Sequence, residues 1–465
     1  MPPTAQTGED AHRPAKAAMP TDPLTRVDQL LSPFEEAYTS PEDFRVGTEA
    51  EKFGVDAHFA PVPFEGKGSI ADVLAALVDD YGWEATREHA GGDIISLRRD
   101  GASVTLEPAA QLELSGAPFR TIHETDAEFA RHASELVAVS EPLGLRWLSL
   151  GFHPFATHDE LPHVPKLRYR IMRSYLPTKG SRALDMMRRT ATIQANLDYE
   201  NADDAMRKLR IALAVQPIVT ALCANSPWRE GQHHGLLSER ADVWLHMDPD
   251  RSGILPFAWE TDASLEDYVN WALDVPMFLV KRGSKLIENT GQPFRAFMRD
   301  GYDGTRAVAE DWVTHINSLF PEARLKNTLE VRGADAQPQS GTCAVPALWK
   351  GLLYDEHAMR AAESMITPLD ARTVQALRPA VAMQGLQADL LGRPLRAWAA
   401  QLIDIAASGL ARLADLDADG RDETHFLAPL HARVDGGQTA AEALLASLEG
   451  AADPRAQLVE HARLR

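Results

Sequence analysis

The chain has 465 residues, 45% hydrophobic and 25% charged, with 67 acidic against 47 basic side chains and a net charge of −20. The apolar fraction excludes a wholly disordered chain, the acidic balance argues against a nucleic-acid coat, and two cysteines exclude a disulfide scaffold. No run reaches the ~18 apolar residues of a membrane span, so a reduced, cytoplasmic setting without membrane contact is expected.

Residues 1–20 mix prolines with both charge signs and lack an apolar stretch, which predicts a disordered tail rather than a secretory signal. Ordered structure is expected from residue 21. Leu24, Val27 and Leu31 share a helical face, and Ser32-Pro33 restarts a short helix. A strand is expected over 44–55 and a helix over 72–81. The runs 94–99 and 103–107 alternate on either side of Asp100-Gly101, a strong hairpin signal. Thr121 and Glu124 form a capping box for a helix that Gly144 closes, before a strand over 145–150. Residues 190–199 alternate again, and 202–224 read as a helix kinked at Pro217. Ser264 and Asp267 cap another helix, 324–332 reads as a strand, and 345–465 is mainly helical. Mixed strands and helices with a hairpin favour α+β architecture with a largely antiparallel sheet. One catalytic domain over 21–465 is expected, mixed to about residue 335.

The acidic residues fall in a pattern. Side chains at i and i+2 of a strand share a face, roughly 6.6 Å apart. Glu49 and Glu51 form such a pair; Glu107, Gln111 and Glu113 share a parity opposite to Leu112 and Leu114; Arg324, Lys326, Thr328, Glu330 and Arg332 share another. One such strand reads as a solvated outer face. Three strands using glutamate, a poor strand former, beside Gly47, Pro108 and Gly333, point to a cavity instead. Clustered carboxylates repel unless cations join them, and oxygen-only ligands select hard ions such as Mg²⁺, which bridges carboxylates to phosphates. A nucleotide triphosphate site follows.

Residues 166–189 carry eight basic side chains against Asp185 alone. They read as a solvated helix or as arginines that grip phosphate or carboxylate. With no G-x-x-x-x-G-K-[ST] or G-x-G-x-x-G sequence, such a site is built from side chains and metal rather than a glycine-rich loop. His153 is expected to pack at a strand end, His233-His234 to lie in a surface loop and Cys223 in the core. Cys343, ahead of a helix, is expected to be partly reactive.

The segments G-T-E-A-E-K-F-G (47–54), S-V-T-L-E-P-A-A-Q-L-E-L-S-G-A-P (103–118), G-F-H-P (151–154), R-Y-R-I-M-R-S-Y-L-P (168–177), L-D-M-M-R-R-T-A-T-I-Q-A-N-L-D (184–198), A-N-S-P-W (224–228), D-R-S-G-I-L-P-F (250–257), A-L-D-V-P-M (272–277) and L-E-V-R-G-A-D (329–335) resemble, in order, the plant and proteobacterial type of glutamate–cysteine ligase. The resemblance implies a glutamine-synthetase-like cup, an antiparallel sheet forming a funnel with helices outside. It implies that ATP, with Mg²⁺ or Mn²⁺, phosphorylates the γ-carboxylate of L-glutamate and that the amine of L-cysteine displaces phosphate. The product is γ-glutamylcysteine, a precursor of glutathione or a related thiol. It implies metal-site glutamates at Glu49, Glu51, Glu107, Glu113 and Glu330, catalytic roles for Glu330 and Arg332, and substrate or ATP contacts from Lys52, Arg168, Arg173, Gln194, Asn196, Arg251 and Arg332. The sequence departs from the family in having Ala50 and Ala109-Ala110 where histidine and paired glycines are usual, and too few cysteines for two disulfides. A different amine acceptor, or a phosphotransferase on the same cup, stays open, as does a monomer or a homodimer.

Overall fold

The computed structural model describes residues 22–87, 91–282 and 285–465; the tail expected over 1–20 lies outside them. Strands β1 (Val46–Val55), β2 (Glu84–Arg87), β3 (Ile94–Arg99), β4 (Ala102–Leu106), β5 (Leu112–Ser115), β6 (Arg146–Leu148), β7 (Thr192–Leu197), β8 (Ala323–Leu325) and β9 (Leu329–Asp335) form one sheet. Its order is β8-β9-β7-β1-β5-β4-β3-β2, with β6 paired to the far end of β1. Neighbours run antiparallel throughout, so the expected α+β class holds.

Several local expectations translate directly into elements. Thr121 with Glu124 makes the expected capping box for α2 (Ile122–Ser140), and the helix expected over 72–81 is α1 (Ile70–Tyr81), which Ser69 and Asp72 cap in the same way. Asp100 and Gly101 turn the β3–β4 hairpin with φ of 51° and 87°, the left-handed pair that a type I′ turn requires. Helix α5 (Ala202–Leu222) runs through Pro217. Between α2 and α5 lie α3 (Leu167–Tyr175) and α4 (Ala183–Arg189). Helices α6 (Glu239–Leu245) and α7 (Ala344–Leu353) follow.

The strand expected over 103–107 is β4, but the parity read on to Glu113 crosses a hairpin, and the strand expected over 324–332 is itself a hairpin. Between β4 and β5 the chain reverses at Glu107–Gln111, where Ala110 donates its N–H to Glu107 O at 2.9 Å with φ of 63°. Between β8 and β9 it reverses at 326–328, with Lys326 N donating to Thr328 O. Alternation survives both reversals because directly opposed residues of antiparallel strands share a face. Thr105 stands opposite Glu113, and Arg324 opposite Glu330.

The sheet therefore has two chemically distinct faces. One carries Val46, Ala50, Ile193, Ala195, Leu197, Leu329 and Val331, buried against Leu209 and Leu213 of α5 and Leu348 of α7. Toward β3, Val104, Leu106, Leu112 and Leu114 pack on Leu74 and Leu77 of α1 and Leu136 of α2. Each such leucine contributes about 1.5–3 kcal/mol by leaving water, and this sum holds the opposite, polar face in place. Among the described residues no helix is long and apolar enough to cross a membrane.

Glu128 on α2 is buried, and its Oε2 accepts the Ala117 N–H at 3.0 Å. Burial raises its carboxyl to about 7 from an ordinary 4.5. The native state thus holds a proton that the unfolded state releases, so the contribution of Glu128 to stability is greatest below pH 4.5 and is lost as pH rises through about 7. Glu128→Gln keeps the acceptor and removes the ionisation. Its melting temperature relative to the parent should rise between pH 5 and pH 8; a difference independent of pH would reject this account.

Candidate active site

The polar face is built from cross-strand neighbours. Glu49 of β1 stands opposite Ser115 of β5 and Gln194 of β7; Glu51 stands opposite Glu113. Glu330 of β9 stands opposite Asn196 of β7. Asn196 Nδ2 donates to Glu49 Oε1 at 3.0 Å, and Asn196 Oδ1 accepts from Thr328 at 3.2 Å. The hydroxyls of Ser115 and Thr105 donate to Glu113 at 2.6 and 3.1 Å, and the Thr192 N–H donates to Glu51 at 3.1 Å. Gln194 Oε1 is buried with no hydrogen-bond partner.

Electrostatics divide this face into two halves. In the first, burial and the charges of Glu107, Glu113 and Glu49 hold the Glu51 carboxyl well above its ordinary range. Burial, with Glu49 and Glu107, pushes Glu113 up to about 8 against the pull of Ser115 and Thr105. Four carboxylates in mutual repulsion call for a cation. Among the described residues no three His, Cys, Asp or Glu converge at metal-ligating spacing. The oxygen-only donors nevertheless fit a hard divalent ion that completes its shell with water and substrate phosphates.

In the second half Glu330, wholly buried, receives Arg324, Lys326 and Arg332 at 2.7, 2.6 and 3.2 Å. These cations overcome the burial penalty and hold its carboxyl far below the usual range. Glu330 therefore stands apart from the other four glutamates, already matched by three positive charges. Arg332 lies between the Trp244 and Phe320 rings at 5.1 and 5.2 Å, and burial lowers its guanidinium to about 10.

Other expected site residues are placed differently. Lys52 has the parity of Ala50 and points to the helix-covered face, where burial draws its ammonium down to about 8 despite Glu113 and Glu51; it is not on the polar face. Arg251 is wholly buried, donating to Asp248 at 2.7 Å, Ser318 O at 3.1 Å and Pro276 O at 2.7 Å, with its guanidinium 3.9 Å from the Phe278 ring centroid. Its donors tie the fold together. Arg173 is exposed and bonds His163, while Arg168 leans on the Tyr169 ring and bonds its hydroxyl.

The rest of the basic stretch is mostly structural. Arg182 pairs with Asp185, Glu239 and Asp242; Arg189 pairs with Asp185 and Glu230; Arg188 donates to the carbonyls of His158 and Leu161. His153 packs as expected: its Nδ1 accepts the Ala156 N–H at 3.0 Å, and burial lowers its imidazole to about 3.

Sequence reasoning missed Arg240. It reaches from the first turn of α6, is 3% exposed and donates from Nη2 to Arg332 O at 2.5 Å. With Arg332, Arg378, Glu322, Gln216 and Trp244 it lines a cleft beside the β9 bulge. Both polar atoms of the Gln216 amide are buried without partners. Below α6, Asp335 accepts from Asn225 N at 2.8 Å, Ser226 Oγ at 2.7 Å and Ser238 Oγ at 2.9 Å, and Ser238 caps α6. A Cβ at residue 151 would stand 2.4 Å from Asp335 Cγ. Gly151→Ala should therefore displace Asp335 and, through Ser238, Arg240. Lowered turnover together with lowered thermal stability is expected; parental values for both would reject the linkage.

Both cysteines are buried, free thiols. Burial raises Cys223 to about 11 and Cys343 well above its ordinary value, so the reactivity expected of Cys343 is corrected: a neutral buried thiol is a poor nucleophile. Thiol reagents should leave both unmodified in the native protein and label both after denaturation; rapid native labelling of Cys343 would overturn this.

Comparison with known proteins places these features in a lineage. The model of glutamate-cysteine ligase family 2 (GCS2) matches residues 45–461. The chain is 39% identical to a chloroplastic glutamate–cysteine ligase B of Oryza sativa subsp. japonica, covering 92% of this chain and 85% of that one. It is 40% identical to a chloroplastic glutamate–cysteine ligase of Nicotiana tabacum, covering 93% and 82%. The fold matches a glutamate–cysteine ligase of Francisella tularensis in complex with AMP, with a TM-score of 0.58, 14% identity and coverage of 90% and 87%. The chain belongs to glutamate-cysteine ligase family 2, and its mixed helical and antiparallel architecture agrees with the expected cup-like fold. The cytoplasmic setting does not stand, because these curated plant relatives are chloroplastic. A low cysteine count reports a reducing environment, which a cytoplasm does not monopolise.

Proposed function

We propose that this family 2 enzyme forms γ-glutamylcysteine on the polar face of the sheet, with ATP as phosphoryl donor and residues 21–465 working as one catalytic unit. The observation that carries the site assignment is the division of one strand face into a carboxylate half and an arginine half, joined by Asn196.

Glu49, Glu51, Glu107 and Glu113 would hold Mg²⁺, or Mn²⁺ in its place. Such ions supply charge neutralisation between ATP phosphates and the attacking carboxylate. In the first step a γ-carboxylate oxygen of L-glutamate bonds to the terminal phosphorus of ATP, and ADP leaves. In the second the amine of L-cysteine attacks the acyl carbon, phosphate departs and the amine gives up a proton.

Arg332 faces the first step. Its position between two aromatic rings fixes the guanidinium, and Glu330 orients it without shedding its own pairing to Arg324 and Lys326. Preorganised donors stabilise charge where it develops on the transferred group. Glu330 acts here as the anchor of three cations, and direct metal ligation would require it to give up one of them. Gln194, beside Glu49, has an open acceptor for a substrate ammonium. In the cleft beside the β9 bulge Arg378 is paired with Glu322, which leaves Arg240 and the unpartnered Gln216 amide to meet a substrate head group. The product would feed glutathione or a related thiol.

Product analysis with ATP, glutamate and a panel of amines tests the reaction. ADP release should need both a divalent ion and an amine acceptor, with cysteine preferred. Release without an amine would indicate a phosphotransferase, and full activity in chelator would abandon the carboxylate site. Arg332→Ala should lower turnover by about 10²–10³ with the fold retained, and Arg332→Lys should restore only part, since lysine lacks the planar fork. Near-parental turnover in both variants would remove β9 from the site.

A further inference from the structure

We propose that Thr220, on the helix behind the sheet, is a positioning residue for phosphoryl transfer: its hydroxyl holds the β9 bulge that aims Arg332. The proposal rests on the reading of Arg332 as a donor to the transferred group.

The bulge is visible in the register. Val331 stands opposite Ala195, and Ala334 opposite Ile193. Arg332 and Gly333 therefore share the single position opposite Gln194. One extra residue of this kind bends its strand and re-aims a side chain. The sequence needs it here. In strict alternation Ala334 would follow Glu330 and Arg332 onto the polar face, and Asp335 would enter the apolar layer. The bulge returns Ala334 to the buried apolar cluster beside Ile193.

A bulge disrupts the ladder, and buried carbonyls then need donors from elsewhere. Side chains of three elements supply them to three successive carbonyls. Arg240 of α6 donates to Arg332 O at 2.5 Å, Thr220 of α5 to Gly333 O at 3.0 Å, and Thr192 of β7 to Ala334 O at 2.6 Å. Arg240 also borders the cleft with its charge, and the Thr192 N–H also serves Glu51. Thr220 borders the same cleft, but it is neutral and its one hydroxyl proton goes to Gly333 O. A helical threonine often returns that proton to the carbonyl one turn back; here it reaches across to the sheet.

The approach of helix to bulge is close. A Cβ at residue 333 would stand 2.0 Å from Nε2 of Gln216, one turn before Thr220 on α5. Gly333 is buried, so loss of the Thr220 hydroxyl leaves its carbonyl unpaired and frees the bulge to shift. Arg332, the preceding residue, then drifts from its place between the Trp244 and Phe320 rings. Misplacement by about 1 Å can cost on the order of 10²-fold in rate, and with two of the three ties intact about tenfold is expected.

The test uses the full-length protein with ATP, Mg²⁺, glutamate and cysteine. Thr220→Val is nearly isosteric and removes the donor. Its kcat should fall about tenfold while each KM stays within about twofold of the parent, and Thr220→Ser should restore kcat. In an Arg332→Ala background Thr220→Val should cost nothing further, because its effect runs through the guanidinium. Crystals of Thr220→Val should show the Arg332 guanidinium displaced from between the two rings. A raised KM with parental kcat would make Thr220 a substrate contact and overturn the proposal. A full additional loss in the Arg332→Ala background overturns it as well. An undisplaced Arg332 overturns the positioning role and leaves the reading of Arg332 intact. Displacement with parental turnover overturns that reading, and the proposal with it. Should Thr220→Val fail to fold, Thr220→Ala decides on the same readouts.

Discussion

Repulsion among four glutamates on adjoining strands is the constraint around which the fold is arranged. Glu51 and Glu113 are directly opposed across β1 and β5, a placement that destabilises an antiparallel pair when both are charged. Burial, with the charges of Glu49 and Glu107, raises Glu113 to about 8, and burial with Glu107, Glu113 and Glu49 raises Glu51 as well. Such a face persists only where the other face is strongly favoured. Here Ala50, Ile193, Leu112 and Leu114 are locked against helices. A slip of one residue in β1 would drive Glu49 and Glu51 into that apolar layer. Hydrophobic burial behind the sheet thus keeps the carboxylates in place.

The same sheet resolves an opposite problem a few ångströms away. Three cations converge on Glu330, leaving a surplus of positive charge under the β9 end. Asn196 touches both halves without adding charge, donating to Glu49 and accepting from Thr328. A neutral amide is suited to this boundary. A carboxylate there would join the repulsion on one side, and an ammonium would collapse the charge separation on the other. The proposed chemistry moves a phosphoryl group between donor and acceptor anions, and a face that is acidic at one end and basic at the other meets that demand without a glycine-rich loop.

Much of this was legible in sequence because strand parity is a local property. Within each stretch the shared face of Glu49 with Glu51, of Glu107 with Glu113 and of Glu330 with Arg332 could be assigned from alternation alone, although two of the stretches proved to be hairpins, since turns between directly opposed residues conserve the face. Lys52 shows the converse: its parity sends it to the back, yet the motif around it suggested the front. Arginines were the least legible. Arg251 and Arg332 both lie in recognisable segments, but one spends its donors on Asp248, Ser318 and Pro276 while the other stands between aromatic rings. Nothing in a linear sequence distinguishes a guanidinium consumed by carbonyls from one aimed into a site. Arg240 escaped because its importance comes from Arg332 O, 92 residues away.

Asp335 explains why several separate segments behave as one. Its two oxygens collect the backbone of Asn225 and the hydroxyls of Ser226 and Ser238, while Gly151 leaves the room its side chain occupies. Burial raises its carboxyl, and those donors with Arg240 act against that rise. Three of the recognisable segments therefore meet at a carboxylate that belongs to neither half of the polar face. Ser238 starts α6, and the first turn of α6 carries Arg240. The orientation of Arg240 toward Arg332 is thereby set from beneath by a buried, hydrogen-bonded carboxyl rather than from within the site. A buried network whose members are paired is stiff because each bond constrains the next. That stiffness lets a guanidinium reach the site from a helix of only seven residues.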